Sequence, residues 1–169
     1  MAGGKPVGLP LKPKRSQTKE QVLERITQNN GKIFSSQEDE WLIDFEQLEK
    51  SINENTKILL INSPHNPVGK VFTQAELKQI AEIVSKHPRL VIIEDNVYEG
   101  MIFDDLLGTN LPKIIHEPGM YERTISVYSA GKILAATGVR CGWAIGSREI
   151  IQSVRSVHQY NVFCYYNII

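Results

Sequence analysis

Apolar residues along this chain gather into short unbroken runs separated by polar, turn-rich segments. Ile58, Leu59, Leu60 and Ile61 form one such run within residues 57–62. A run of that length that does not alternate suits a parallel strand covered on both faces. Residues 90–93 repeat the pattern, residues 123–128 give a third strand, and residues 138–145, with small side chains and Trp143, a fourth. Thr73 followed three positions later by Glu76 has the form of a capping box. It opens a predicted helix over 74–86 with Leu77, Ile80, Ala81 and Val84 on one face, stopped by His87-Pro88. Residues 44–51 predict a short helix with Phe45, Leu48 and Ile52 aligned, and residues 149–160 a last helix with Ile150, Val154 and Val157 turned inward. Near the start, residues 7–11 read as a short strand. Residues 12–40 read as a polar connection with a short helix at 19–27. The closing stretch, 163–169, is aromatic and apolar, like core material. Strand, loop, helix and strand in succession predict an α/β fold with parallel strands.

Composition narrows the function classes. Lysine plus arginine and aspartate plus glutamate stand at 19 each, so the basic excess of a nucleic-acid binder is absent. No apolar run approaches the length of a membrane span. Cys141 and Cys164 are too few for a disulfide framework and are expected to be reduced and buried in an intracellular protein. The first nineteen residues carry five basic residues and no acid. Pro6, Pro10 and Pro13, and the lack of a helical apolar face, argue against a targeting peptide there. His65, His87, His116 and His158 lack metal-ligand spacing, and no Gly-x-Gly-x-x-Gly follows a strand.

In open parallel sheets, ligands bind beyond the carboxyl ends of the strands. Three polar groups fall at such ends: Asn66, Asp95 with Tyr98, and Ser129 with Lys132. Most lysines are surface residues, but Lys132 follows Ser-Ala-Gly directly behind a buried strand, where its amine could form a Schiff base with an aldehyde cofactor. Asp95 could cap a turn, or it could pair with a protonated ring nitrogen; Glu94 competes for the second role. Tyr98 and Asn66 could be a core aromatic and a turn former, or could hydrogen-bond a phenolic oxygen on the ring. Arg140 and Ser129 could hold a phosphate, the guanidinium by its fork of donors, although a surface ion pair is the plainer use of an arginine.

Taken together, these segments resemble the fold-type I, class I/II aminotransferases that use pyridoxal 5'-phosphate, and most closely the kynurenine aminotransferase (cysteine-S-conjugate beta-lyase) group. The resemblance rests on Asn62-Ser63-Pro64-His65-Asn66-Pro67-Val68-Gly69-Lys70, on Glu94-Asp95-Asn96-Val97-Tyr98-Glu99, and on Pro118-Gly119-Met120-Tyr121-Glu122-Arg123-Thr124 leading into Ser129-Ala130-Gly131-Lys132. It implies a three-layer α/β sandwich with a mostly parallel sheet, part of the cofactor-binding large domain. Lys132 would be the catalytic lysine that carries pyridoxal 5'-phosphate. Asn66 and Tyr98 would bond the ring oxygen, Asp95 the ring nitrogen, and Ser129 and Arg140 the phosphate.

The implied reaction is transamination between an amino acid (kynurenine, glutamine or another aromatic or sulfur amino acid) and a 2-oxo acid. The implied full-length protein is a homodimer of the cytoplasm or mitochondrion, with no nucleic-acid or membrane partner. The likeness runs from Met1 to about Cys164 and matches an interior stretch of the family. Residues 1–169 would then be a partial large domain. A glycine-rich phosphate turn, a stacking aromatic and a C-terminal small domain with a carboxylate-clamping arginine would lie outside it. The chain alone is then expected to be poorly soluble and inactive or nearly so, a non-catalytic remnant being the alternative reading. Asn96, in place of the usual glutamate, and Ile133-Leu134-Ala135-Ala136, in place of a more polar stretch, are the departures within the match.

Overall fold

A computed structural model describes residues 3–14, 18–28, 41–102 and 110–162 of the chain. They fall into two units, Met1–Ser51 and Ile52–Ile169. In the first unit, Lys12–Pro13 (β1) pairs antiparallel with Trp41–Leu42 (β2). The strand predicted over 7–11 does not form; the extended pairing begins at Lys12 instead. Helix α1 spans Lys19–Gln28. Thr18 and Gln21 cap it reciprocally, each side-chain oxygen accepting from the other's backbone amide. Helix α2, Phe45–Ser51, starts at Asp44, whose carboxylate accepts from the Gln47 amide and pairs with Lys12 at 2.6 Å. The predicted final segment, 163–169, and residues 15–17 and 29–40 of the polar connection expected over 12–40 lie outside the described residues.

The second unit is built on one four-stranded sheet in the order β3-β4-β5-β6. Strands Ile58–Asn62 (β3), Val91–Asp95 (β4) and Thr124–Ser129 (β5) run parallel. Gly142–Gly146 (β6) runs antiparallel to β5. The sheet is therefore mostly parallel, and the fourth strand is shorter than its sequence suggested because Thr137–Val139 coils into a 3-10 turn. The β5–β6 pairing is tight: a side chain at Gly142 or Gly146 would lie 2.6 or 2.7 Å from the carbonyl oxygen of Tyr128 or Thr124.

Helix α3, Gln74–Ser85, connects β3 to β4 and completes the capping box, Thr73 and Glu76 each serving the other's backbone amide. Glu76 also takes the buried ammonium of Lys70 at 2.8 Å, which anchors the loop before the helix. Leu77, Ile80, Ala81, Ile83 and Val84 are buried, as the helical period predicted, with Ile83 in addition. One sheet face carries Ile61, Ile92, Glu94, Thr124, Ser126 and Tyr128, all buried. The 3-10 turn Ile114–His116 packs on β5 from this side, and α3 packs on that turn.

Two expectations of burial are corrected. Ile58 and Leu60, on the other face of β3, are 56% and 63% exposed, because β3 is an edge strand and no described element covers that face. Helix α5, Arg148–Asn161, has no buried residue: its start rests on β6, with Ile151 against Gly146 and Ile150 half-buried, but Val154 and Val157 are exposed, so the inward placement expected for them fails. Among the described residues no helix is long and apolar enough to cross a membrane.

Glu94 holds the covered face together. Its carboxyl accepts from the Ile114 amide at 2.5 Å and from the Ser126 hydroxyl. Replacing it with alanine strands two buried donors, so Glu94→Ala is expected to lower stability by about 2–4 kcal/mol, read as a fall in the urea midpoint. Burial also lowers the imidazole pKa of His65, whose Nδ1 lies buried without a partner among the described residues. The unfolded chain then takes up the proton first, so stability is full above the ordinary value of about 6.5 and is lost as pH falls below it. Urea midpoints measured between about pH 7.5 and pH 5 should decline, and less steeply for His65→Gln.

Candidate active site

Because β3, β4 and β5 share a direction, their carboxyl ends open at one edge of the sheet, and five of the six predicted site residues lie on the segments that leave them. The sixth, Arg140, follows the 3-10 turn Thr137–Val139. Asn62 and Asp95 are register partners, as are Asp95 and Val127. Successive strand residues point to opposite faces. Glu94 therefore turns into the packed side, and Asp95, the last residue of β4, turns to the other. Of these two carboxylates, Glu94 is taken up by the Ser126 hydroxyl and the Ile114 amide. Asp95 uses one oxygen, Oδ1, to accept from the Val97 amide at 3.2 Å, which is the turn-capping role. Its Oδ2 has no partner among the described residues.

Asn66 is set by the strand before it. Its amide donates to Oδ1 of Asn62 at 2.7 Å, while Asn62 Nδ2 donates to the Asp95 carbonyl at 3.0 Å. The loop between is closed by His65 N–H on Lys70 O and Gly69 N–H on His65 O, at 2.8 and 2.7 Å. Asn66 Nδ2 then donates to the Tyr98 hydroxyl at 3.0 Å. This bond joins residues 32 apart in sequence and draws the β3 and β4 loops together at their polar tips.

Ser129 ends β5 and caps the short helix α4, Ala130–Ile133, its hydroxyl accepting from the Gly131 amide at 3.2 Å. Lys132 projects from that helix, and its ammonium lies 5.6 Å from the centre of the Tyr98 ring, a cation–π distance. Two glycines permit the assembly. A side chain on Gly131 would stand 3.0 Å from Thr137 Cα, so α4 and the following 3-10 turn pack backbone to backbone. One on Gly100 would touch Ile133 at 3.5 Å, so the turn carrying Tyr98 leans on α4.

Arg140 stands apart from this cluster. Its backbone is left-handed, with φ at 54°, and its guanidinium is exposed and donates to the carbonyl of Thr137 at 3.3 Å. The geometry thus brings Asn66, Tyr98 and Lys132 into contact and sets Asp95 and Ser129 on the same edge. Arg140 is left near that edge without a bond to the other five.

The donor set fits a flat aromatic cofactor that carries an aldehyde and an anionic arm. It offers an amine, a carboxylate with a spare oxygen, a paired phenol and amide, and a hydroxyl at a helix start. Cys141, expected buried, is exposed, since it lies beside the open edge of β6. Sequence reading missed Lys113, which pairs with Glu99 at 2.6 Å beside this site; an isolated lysine far from any motif gives no signal of its own.

The family model for "Aminotransferase class I and II" matches residues 24–166. The chain is 40% identical over 164 residues to a kynurenine–oxoglutarate transaminase of Dictyostelium discoideum, covering 96% of this chain and 35% of that protein. It is 39% identical to human kynurenine–oxoglutarate transaminase 1, covering 34% of it. It therefore spans about a third of the length of these relatives.

Among solved structures, N-succinyldiaminopimelate aminotransferase from Mycobacterium tuberculosis superposes with a TM-score of 0.67 at 40% identity, over 73% of this chain and 31% of that one. An aromatic aminotransferase from Pyrococcus horikoshii superposes with a TM-score of 0.67 at 37% identity, over 78% and 34%. With the matched residues running through every element of the sheet and through Lys132, the chain belongs to the aminotransferases of class I and II.

Proposed function

We propose that this chain forms the cofactor-binding core of a pyridoxal-phosphate-dependent aminotransferase acting between an amino acid, kynurenine or another aromatic or sulfur amino acid, and a 2-oxo acid. The observation that carries the reading is the Lys132 ammonium lying over the ring of Tyr98, whose hydroxyl is held by Asn66. When bound, pyridoxal 5'-phosphate supplies an electron-withdrawing ring and a reactive aldehyde. Every further task falls to the chain's own residues.

Lys132 Nζ would be the amine that holds the cofactor's aldehyde, and the same amine would serve as the base that moves the alpha proton. Tyr98 presents its face to that ammonium and holds it in place. Asn66 orients the Tyr98 hydroxyl, and the pair forms a donor edge for the ring oxygen. Asp95 offers Oδ2 to the ring nitrogen while the Val97 amide fixes its other oxygen. A carboxylate so fixed keeps the nitrogen protonated. Ser129 and the amides that open α4, with Arg140 after rotation away from Thr137, supply donors for the phosphate. By the names of its relatives, the second substrate is oxoglutarate or a similar 2-oxo acid, and the full-length protein is proposed to work as a homodimer.

A second reading is favoured by Arg140, whose guanidinium is spent on its own turn. Here the chain binds cofactor weakly and does not turn over. One set of measurements separates the two. Purified chain mixed with pyridoxal 5'-phosphate should acquire a visible absorbance band that Lys132→Ala abolishes. Asp95→Asn should keep the band but lower any transamination of kynurenine and oxoglutarate by about 100-fold or more, because a neutral amide no longer holds the ring proton. A band without turnover selects the second reading, and no band at all refutes both.

A further inference from the structure

Next to the proposed site, and outside the residues so far given a role, lies a second cationic cluster. Lys113 Nζ pairs with Glu99 at 2.6 Å, lies 3.4 Å from the Tyr128 hydroxyl, and stands 5.1 Å from the centre of the Tyr128 ring. Both charged side chains are largely shielded, at 19% and 27% exposed. The ammonium keeps its proton firmly: burial works against the charge, but the Glu99 hydrogen bond and the Tyr128 hydroxyl together outweigh it and raise the pKa. The ring of Tyr128 stacks in turn on Trp143, 5.5 Å between centres and 8° from parallel.

Each partner of Lys113 is the chain neighbour of a site residue. Glu99 follows Tyr98 in the turn that leaves β4, and Tyr128 precedes Ser129 at the end of β5. Trp143 lies on β6 across from Tyr128, three residues beyond Arg140. The ammonium therefore joins the turn that carries the phenol to the strand end that leads into α4 and Lys132. Beside the Lys132–Tyr98 contact itself, the same gap is spanned by Gly100 against Ile133, which is apolar, and at the root of the turn by the Asn96 amide on the Val127 carbonyl at 2.9 Å. Tyr98 keeps its distance from Lys132 while the turn stays against α4, and the charged, side-chain part of that restraint is Lys113.

We infer that Lys113 is a positioning residue, whose ammonium, clamped between Glu99 and Tyr128, sets the spacing of Tyr98 from Lys132. This inference rests on the reading of that site as a pyridoxal-phosphate site. A clamp of this kind needs a positive charge of about the right reach, so arginine should serve and an apolar side chain of similar length should not.

The test measures pyridoxal 5'-phosphate binding to the full chain by absorbance titration, in four variants beside the unsubstituted protein. Lys113→Met should weaken binding about tenfold, and Lys113→Arg should stay within about threefold. In a Tyr98→Phe background, adding Lys113→Met should cost almost nothing further, because the group it positions has lost its hydroxyl. The unfolding midpoint of each variant is recorded beside the titration, and Lys113→Arg reports on charge where Lys113→Met is poorly folded. Equal losses from Lys113→Met with and without the Tyr98 hydroxyl would overturn the inference, as would Lys113→Met binding as tightly as the unsubstituted chain or Lys113→Arg as weakly as Lys113→Met. A chain that takes up no cofactor in any form overturns the underlying functional reading instead, and this inference with it.

Discussion

Parallel pairing of β3, β4 and β5, in the register that sets Asn62 beside Asp95 and Asp95 beside Val127, is the constraint from which the site follows. Each strand ends at the same edge, so each must release its chain there, and the three loops are forced into one neighbourhood. Backbone polarity does the rest. Asn62 spends its amide on the Asp95 carbonyl and its oxygen on the Asn66 amide, which turns the first loop toward the second. A shift of β4 by one residue would exchange Glu94 and Asp95, place a free carboxylate in the packed face and remove the one at the edge. The register is defended by the covered side, where Glu94 can reach Ser126 and the Ile114 amide only as it now stands.

The parts of the fold that could be read in advance were those decided by local chemistry. The Thr73–Glu76 capping box, the His87-Pro88 stop and the unbroken run of β3 each carry their cause within a few residues. So did most of the site: Asn66, Asp95, Tyr98, Ser129 and Lys132 could be placed at strand ends because strand ends are visible as a switch from apolar to polar. Direction was not legible for β6. A strand's side-chain period is the same whichever way it runs, and the reversal is made by the left-handed residues Ala135 and Arg140 and the 3-10 turn between them.

Helix α5 shows the opposite failure. Its apolar stripe is real, but periodicity states only that a face exists, not that something within the described residues covers it. Lys113 was beyond reach for another reason. Its meaning comes entirely from what surrounds it in space, Glu99 fourteen positions before it and Tyr128 fifteen after.

The left-handed backbone at Arg140 carries its own consequence. A side chain in that conformation costs roughly 1 kcal/mol that glycine would not incur. Selection for a sturdier fold would therefore favour glycine at this position, and selection for anion binding would oppose it. The chain retains the guanidinium in the strained conformation. If the phosphate role proposed for Arg140 holds, local robustness and chemical utility are set against each other in a single residue, and this turn is a place where stabilising changes and working changes would pull apart.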